Sequence, residues 1–395
     1  MHQVYHTPVI SRNLRFSGYF DTLLCYNDAM ERNEMTCIMN RKALVAMSGG
    51  VDSSVAAYLV REAGYETTGA TMRLFDNETI GLPSDKTCCS LSSIEDACAV
   101  ANRLGIYFLV FDFRADFRRE VIDRFIAAYE AGRTPNPCIE CNRYLKFEQL
   151  YTCGQEIGMD CIATGHYARI ERDTGAGRYL LRKAADLSKD QSYVLYSLTQ
   201  EQLARTLFPL GGMTKQEVRA LAEDLGLVTA YKGESQDICF VPDGDYAGFI
   251  RNYTGHEYPP GDFVGLDGTV LGTHKGIIHY TIGQRKGLGL ALKKPMYVSE
   301  IDTVNNRVVL ADNADLFTRE LTAADFNWIA CDVPSSDLRA SARIRYKHKE
   351  APATVIPTGR DTVKVIFDEP QRAVTRGQSV VLYDGDVVIG GGTIV

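Results

Sequence analysis

The sequence lacks long apolar runs. No stretch of its 395 residues approaches the roughly 20 apolar residues of a membrane-spanning helix, so a helical membrane protein is excluded. It lacks a secretory signal too. Residues 1–40 have no apolar h-region, and Asp21, Asp28, Glu31 and Glu34 argue against a transit peptide. Positive charge is in short supply, with 43 Lys and Arg against 50 Asp and Glu and a formal net charge of −7. That disfavours broad nonspecific nucleic-acid binding but leaves room for a local basic face. Even pairing of cysteines is missing. Eleven Cys is an odd number for a disulfide framework, and without an export signal it fits a reducing cytoplasm, where thiols serve catalysis or metals. No internal repeat or low-complexity tract is visible. What remains is a globular chain, 45% hydrophobic and long enough for two or three domains.

Residues 1–41 have no clear period and read as an extension, either disordered or upstream of the true start, with Met35 and Met39 as natural starts. The chain is organised around the next segment. Ala43-Leu44-Val45-Ala46-Met47 reads as a buried strand, Val55–Ala63 as a helix stopped by Gly64, and Ser48-Gly49-Gly50-Val51-Asp52-Ser53-Ser54 joins them. Strand, Gly-rich turn and helix form an anion cradle, because glycines admit close approach and free N–H groups at a helix start face negative charge. No Lys follows the glycines, so this is not the usual nucleotide P-loop. The stretch resembles the S-G-G-x-D-S signature of ATP pyrophosphatases. The alternative is an ordinary strand-to-helix turn.

From Lys42 to about Gly226, strands and helices alternate, which predicts a doubly wound parallel sheet with ligands at the carboxyl ends of its strands. Further strands are expected at Thr67–Leu74, Tyr107–Phe113 and Cys161–Thr164. Helices are expected from a Ser92 or Ser93 cap to Leu104, over Asp116–Ala131 and over Lys215–Leu225. After Ser235, Gly, Pro and short β-rich runs replace helices, and from about Arg339 the runs alternate as in a small antiparallel barrel or sandwich. The expected divisions are 42–232, a central β-rich domain over 233–307, and a C-terminal β-barrel over 308–395.

A second constellation is Thr134-Pro135-Asn136-Pro137-Cys138-Ile139-Glu140-Cys141-Asn142-Arg143. Its cysteines sit where a helix begins, and that helix end, with Arg133, Arg143 and Lys146, favours the thiolate. A thiolate there is a nucleophile or a metal ligand. A structural zinc knuckle is the alternative, although no second C-x-x-C lies at finger spacing. The third is Glu234-Ser235-Gln236-Asp237-Ile238-Cys239-Phe240. Alone, Cys239 reads as a small buried hydrophobe.

Together with A-T-G-H-Y at 163–167, K-D-Q-S-Y at 189–193 and H-Y-T-I-G-Q-R-K-G-L-G at 279–289, these motifs resemble the tRNA-specific 2-thiouridylase family from about Lys42 onward. The resemblance implies an ATP pyrophosphatase domain followed by a small β-rich domain and a tRNA-contacting barrel. It implies ATP, with Mg²⁺, at Ala46, Met47, Ser48, Gly49, Gly50, Val51, Asp52, Ser53, Met72 and Gly165. It implies Cys141 as the persulfide-carrying nucleophile and Cys239 as its transient disulfide partner. Asn136, Pro137 and Cys138 line the target base, and His166, Lys189, Asp190, Gln191, Arg345, Tyr346 and Gln378 contact tRNA. The implied partners are a tRNA with a wobble uridine and a sulfur-relay protein or cysteine desulfurase. The family's usual Asp is Cys138 here, so Cys138, Cys141 and Cys239 could instead hold a 4Fe-4S cluster that delivers sulfide.

Taken singly, several of these residues have plainer readings. Met72 suits a core, His166 a satisfied structural histidine, and Gln378 a turn. Arg339, Arg343, Arg345, Lys347 and Lys349 alternate, with Tyr346 on the other side, as a basic face for phosphates or as a solvated edge strand. Another ATP pyrophosphatase and a non-catalytic tRNA-binding module are the competing functions.

Overall fold

The computed structural model describes residues 41–76, 91–233 and 238–395. The leader, Cys88-Cys89-Ser90 and Glu234–Asp237 lie outside the described residues. The first sheet contains β1 (Lys42–Ala46), β2 (Glu66–Arg73), β3 (Tyr107–Asp112), β4 (Cys161–Thr164) and β7 (Thr206–Leu207) in the order β3-β2-β1-β4-β7. Every pairing in it is parallel. Ala43, Leu44, Cys161, Ile162 and Ala163 are at most 1% exposed, the continuous apolar run of a strand covered on both faces.

Helix α1 (Val51–Glu62) follows β1, and α2 (Leu91–Leu104) follows β2. The second begins before the Ser caps expected for it. Helix α3 runs through Arg114–Phe117, a π-helical turn Arg118–Ile122 and Asp123–Glu130. Helix α4 likewise joins Pro137–Glu140, a π-helical Cys141–Gln149 and Leu150–Glu156. Aromatic residues of α3 clasp the end of the third motif: Phe125 and Phe117 meet Phe240 at ring distances of 5.3 and 5.7 Å. Helices α5 (Gln200–Ala204) and α6 (Lys215–Asp224) both start in a capping box, made by Thr199 with Gln202 and by Thr214 with Glu217.

A helix, α7 (Tyr246–Thr254), precedes a four-stranded sheet of β8 (Gly261–Gly265), β9 (Val270–His274), β10 (Tyr297–Asp302) and β11 (Arg307–Ala311). The division expected near 308 falls inside β11, which pairs with β8 and β10 and so belongs to the central sheet through Ala311. The remaining strands are β12 (Phe317–Trp328), β13 (Leu338–Arg343), β14 (Ala351–Pro357), β15 (Val363–Arg372), β16 (Ser379–Asp384) and β17 (Val387–Ile394). In the order β12-β15-β14-β13-β16-β17 they close by a β12–β17 pairing, an antiparallel barrel without free edges. A hairpin from the first region, β5 (Ala168–Asp173) and β6 (Arg178–Lys183), joins the barrel at β17 through Val387 and Arg182.

The alternating cationic strand ends early. β13 stops at Arg343, so Arg345 and Lys347 lie beyond it and share no strand face. Arg339 pairs with Asp368 at 2.6 Å, and the Arg345 guanidinium donates to the Arg372 carbonyl at 2.6 Å. Lys347 and Lys349 are exposed.

Candidate active site

The carboxyl ends of β1 and β4 meet where the strand order reverses, the ligand crevice of such sheets. The 48–54 loop leaves β1 there. Ser48 N–H donates to Ser53 Oγ at 3.1 Å, and the Ser53 and Ser54 hydroxyls donate to the Gly50 carbonyl at 3.0 and 2.9 Å. Gly49 is left-handed at φ 71°, and a Cβ there would meet the Ser93 carbonyl oxygen at 2.2 Å, so only glycine fits. No side chain among the described residues caps α1, whose first N–H groups therefore face the loop mouth.

Gly165 backs this loop. A Cβ on it would lie 2.8 Å from the Asp52 carbonyl carbon and from Ser53 N. Its place is thus set by contact with the cradle's backbone. Met72 is half-buried at the end of β2, against the first core.

The missing loop lysine is replaced from far along the chain. Lys215, the first residue of α6 and 8% exposed, places its ammonium 2.6 and 2.7 Å from the two Asp52 carboxylate oxygens. The Tyr167 hydroxyl donates to the same carboxylate at 2.7 Å. On the other side, Lys232 donates to the Gly49 carbonyl at 3.1 Å and to Asp96 at 2.7 Å. Sequence patterns point to neither lysine. The capping box announces where α6 starts but not that its first residue reaches Asp52.

Cys141 opens the π-helical part of α4 and is 9% exposed, while Cys138 one turn earlier is exposed. Asn136 caps the helix by accepting from the Cys138 N–H at 3.2 Å, and Pro137 occupies the first helical position. Wide π turns recur at functional sites. The link from α4 to the cradle runs through His166, which follows Gly165. Its Nδ1 is 2.7 Å from the Thr164 hydroxyl and its Nε2 is 3.5 Å from Lys146 Nζ. Burial first, and then the Lys146 charge, hold its pKa well below the ordinary histidine value. A neutral ring accepts from Lys146 and donates to Thr164. His166 is 8% exposed between Phe147 and Phe208, where its ring lies beside Lys146.

Other expected RNA contacts are also engaged inside the protein. The Asp190 carboxylate, 6% exposed, accepts from the Ala184 and Ser192 N–H groups and from the Ser192 hydroxyl at 2.8 Å. Gln191 accepts from the Tyr167 N–H at 2.9 Å, and Lys189 is half-buried beside it. Tyr346 donates to the Asp190 carbonyl at 3.2 Å, and Arg343 lies 5.6 Å over its ring. Burial, then Asp190, raise the Tyr346 pKa, and Cys138 is close enough to add to the effect. Gln378 donates to the Thr134 carbonyl at 2.8 Å, so it holds the cysteine loop.

Cys239 is half-buried against the first core, Cys141 is buried and Cys138 is exposed. Among the described residues no three His, Cys, Asp or Glu side chains converge to hold a metal ion. The three-cysteine donor set of an iron–sulfur cluster is not assembled among them.

A parallel sheet with a nucleotide cradle, a small central four-stranded sheet and a closed C-terminal barrel define a three-part HUP-domain protein. Family comparisons agree part by part. Residues 41–243 match the tRNA methyl transferase HUP domain, 247–312 its PRC-barrel domain and 318–394 the aminomethyltransferase beta-barrel domain. The tRNA-specific 2-thiouridylase MnmA of Clostridioides difficile is 52% identical over 90% of this chain and 98% of its own length. That of Acetivibrio thermocellus is 53% identical over 90% of this chain and 99% of its own. The chain belongs to the tRNA-specific 2-thiouridylase family.

Proposed function

We propose that the chain is a tRNA-uridine 2-sulfurtransferase that consumes ATP. The phosphates of ATP lie in the cradle of residues 48–54, with the adenine toward Met72. Lys215 and Lys232 offset phosphate charge, and Asp52 is the carboxylate placed to meet the accompanying Mg²⁺. The C2 oxygen of the wobble uridine attacks the α-phosphorus. Pyrophosphate leaves, and AMP remains on that oxygen as a good leaving group. The terminal sulfur of a Cys141 persulfide then attacks C2 and AMP departs. The Cys239 thiolate attacks the Cys141 sulfur of the resulting C2–S–S–Cys141 linkage, releasing 2-thiouridine and leaving a Cys141–Cys239 disulfide. External thiols reduce that disulfide, and a sulfur-relay protein or cysteine desulfurase reloads Cys141. Such thiol chemistry suits a reducing cytoplasm.

The observation that carries this reading is the short path between the two half-sites. Gly165 presses on Asp52 and Ser53, and the next residue, His166, contacts Lys146, five positions after Cys141 on α4. The test is mass spectrometry of tRNA nucleosides after incubation with ATP and a persulfide donor, a cysteine desulfurase with free cysteine, wild type against Cys141→Ala. Thiouridine should form only with the wild type. Equal amounts in both would reject the reading. Iron and sulfide analysis of anaerobically purified protein, with Cys138→Ser as control, should find neither in stoichiometric amount.

A further inference from the structure

The C-terminal barrel grips the cysteine segment at both ends. At the leading end, the Thr134 N–H donates to the Arg376 carbonyl at 2.9 Å, and Gln378 donates to the Thr134 carbonyl at 2.8 Å. Gly377, between them, is left-handed at φ 87°, and a Cβ there would lie 3.1 Å from Thr134 N and from Arg133 Cβ. The barrel turn is thus shaped to lie directly on the loop. At the trailing end, Arg143, two residues past Cys141, forms a two-pronged ion pair with Asp325, one prong at 3.1 Å. That hydrogen-bonded pairing raises the arginine's pKa further.

Asp325 is an unusual residue for this duty. It sits in a bulge of β12 and is left-handed at φ 50° without being glycine. The Phe326 N–H beside it donates to the Asp361 carbonyl at 2.9 Å, and Asn327 donates to the Tyr196 and Leu198 carbonyls at 2.8 and 2.9 Å. Neighbours therefore hold the bulge against the first domain, and the strained residue is the one that points its carboxylate at Arg143. Their side chains are 58% and 34% exposed, so the ion pair adds little to stability. A strained backbone retained for a pair of small energetic worth points to positioning. Between the two grips, Glu140 is half-buried, its buried Oε2 has no partner, and burial raises its pKa. Arg143 therefore has a second carboxyl near it, one helical turn back, should Asp325 release it.

We infer that the barrel sets the position of the Cys141 sulfur through Gln378 at one end and Asp325 at the other, so that barrel placement on RNA and nucleophile geometry are coupled. Gln378 and Asp325 are positioning residues. This rests on Cys141 being the nucleophile. An RNA seated on the barrel then bears on the same body that holds the cysteine turn.

The test uses the full chain with Asp325→Asn, Gln378→Ala and the double variant. Asn tolerates the left-handed backbone, so D325N removes the charge and keeps the turn. Each single variant should lower kcat for thiolation about tenfold, since small misplacements of a reacting group are costly. KM for tRNA, and AMP formation without a sulfur donor, should stay within about twofold, because the cradle is untouched. The alkylation rate of Cys141 by iodoacetamide, read by peptide mass spectrometry, should change severalfold. Unchanged kcat in all variants, or a loss that falls entirely on the KM for tRNA, overturns the inference. If D325N does not fold, Q378A decides it alone. If Cys141→Ala keeps thiolating, the nucleophile assignment has failed instead, and the Cys141 alkylation rates still report whether the barrel positions that sulfur.

Discussion

Replacing Lys215 with Met keeps most of the side chain's bulk and removes its charge. The consequences follow from unequal burial in the pair. Lys215 is 8% exposed, whereas the Asp52 side chain is 33% exposed. Breaking a fully buried ion pair from one side costs about 3–5 kcal/mol, because the remaining charge is stranded. In Lys215→Met the stranded group is Asp52, which reaches water and keeps the Tyr167 hydroxyl at 2.7 Å. Its stability cost should therefore be smaller, about 1–2 kcal/mol. Asp52→Ala strands the deeper lysine and should cost about 3 kcal/mol. Activity should respond more strongly. An ammonium that offsets developing charge on the departing pyrophosphate contributes about 100-fold or more to the rate. The measurements are urea melts of both variants and tRNA-dependent release of AMP from ATP under saturating substrate. Lys215→Arg should recover part of the rate. The reasoning is refuted by K215M releasing AMP at the wild-type rate, or by D52A proving the more stable of the two.

Gly165→Ala should weaken ATP use by about tenfold or more, since its methyl would press on the Asp52–Ser53 peptide from 2.8 Å. A wild-type KM for ATP and a wild-type rate would contradict the packing. Cys161 is 1% exposed and its burial pushes the thiol up to about 12, while Cys138 is exposed. Iodoacetamide at pH 8 should label Cys138 more than about 100-fold faster than Cys161, and comparable rates would count against the burial argument. His166 stays neutral in the fold because burial and Lys146 lower its pKa. The unfolded chain alone then takes up that proton, so stability is full above about pH 6.5 and declines below it by about 1.4 kcal/mol per pH unit. Urea melts between pH 7 and 5 should show that extra slope in the wild type and not in His166→Gln. Parallel curves would remove the assignment.

The parts legible from the sequence are those governed by local rules. The cradle glycines, the apolar run of β1, the alternation up to α6 and the alternating strands of the barrel each carry a short-range signature. The cysteine helix start was legible from Asn136 and Pro137. What was hidden is nonlocal. Lys215 and Lys232 reach the cradle across more than 160 residues, and nothing near either of them points there. Asp325 is an acidic residue in a bulge, and its left-handed backbone follows from barrel closure and not from its neighbours. Motif position also does not show direction. Asp190 sits in a polar segment whose pattern suits solvent, yet its carboxylate accepts from buried backbone groups. A short polar motif shows that a segment is constrained without showing which side of the chain it serves.

The hairpin of β5 and β6 has a further consequence during synthesis. It belongs to the first region of the chain, yet its partner strand β17 begins at Val387, about 200 residues after the hairpin ends at Lys183. Asp386, whose carboxylate accepts from Arg169 and Arg182 at 2.6 Å, arrives equally late. At about 5–20 residues per second, a ribosome takes roughly 10–40 s to cover that interval. For that time the emerging protein carries a strand edge with no partner and two arginines with no acceptor from the barrel. The finished molecule hides its seam, whereas the nascent one exposes it until β17 is made.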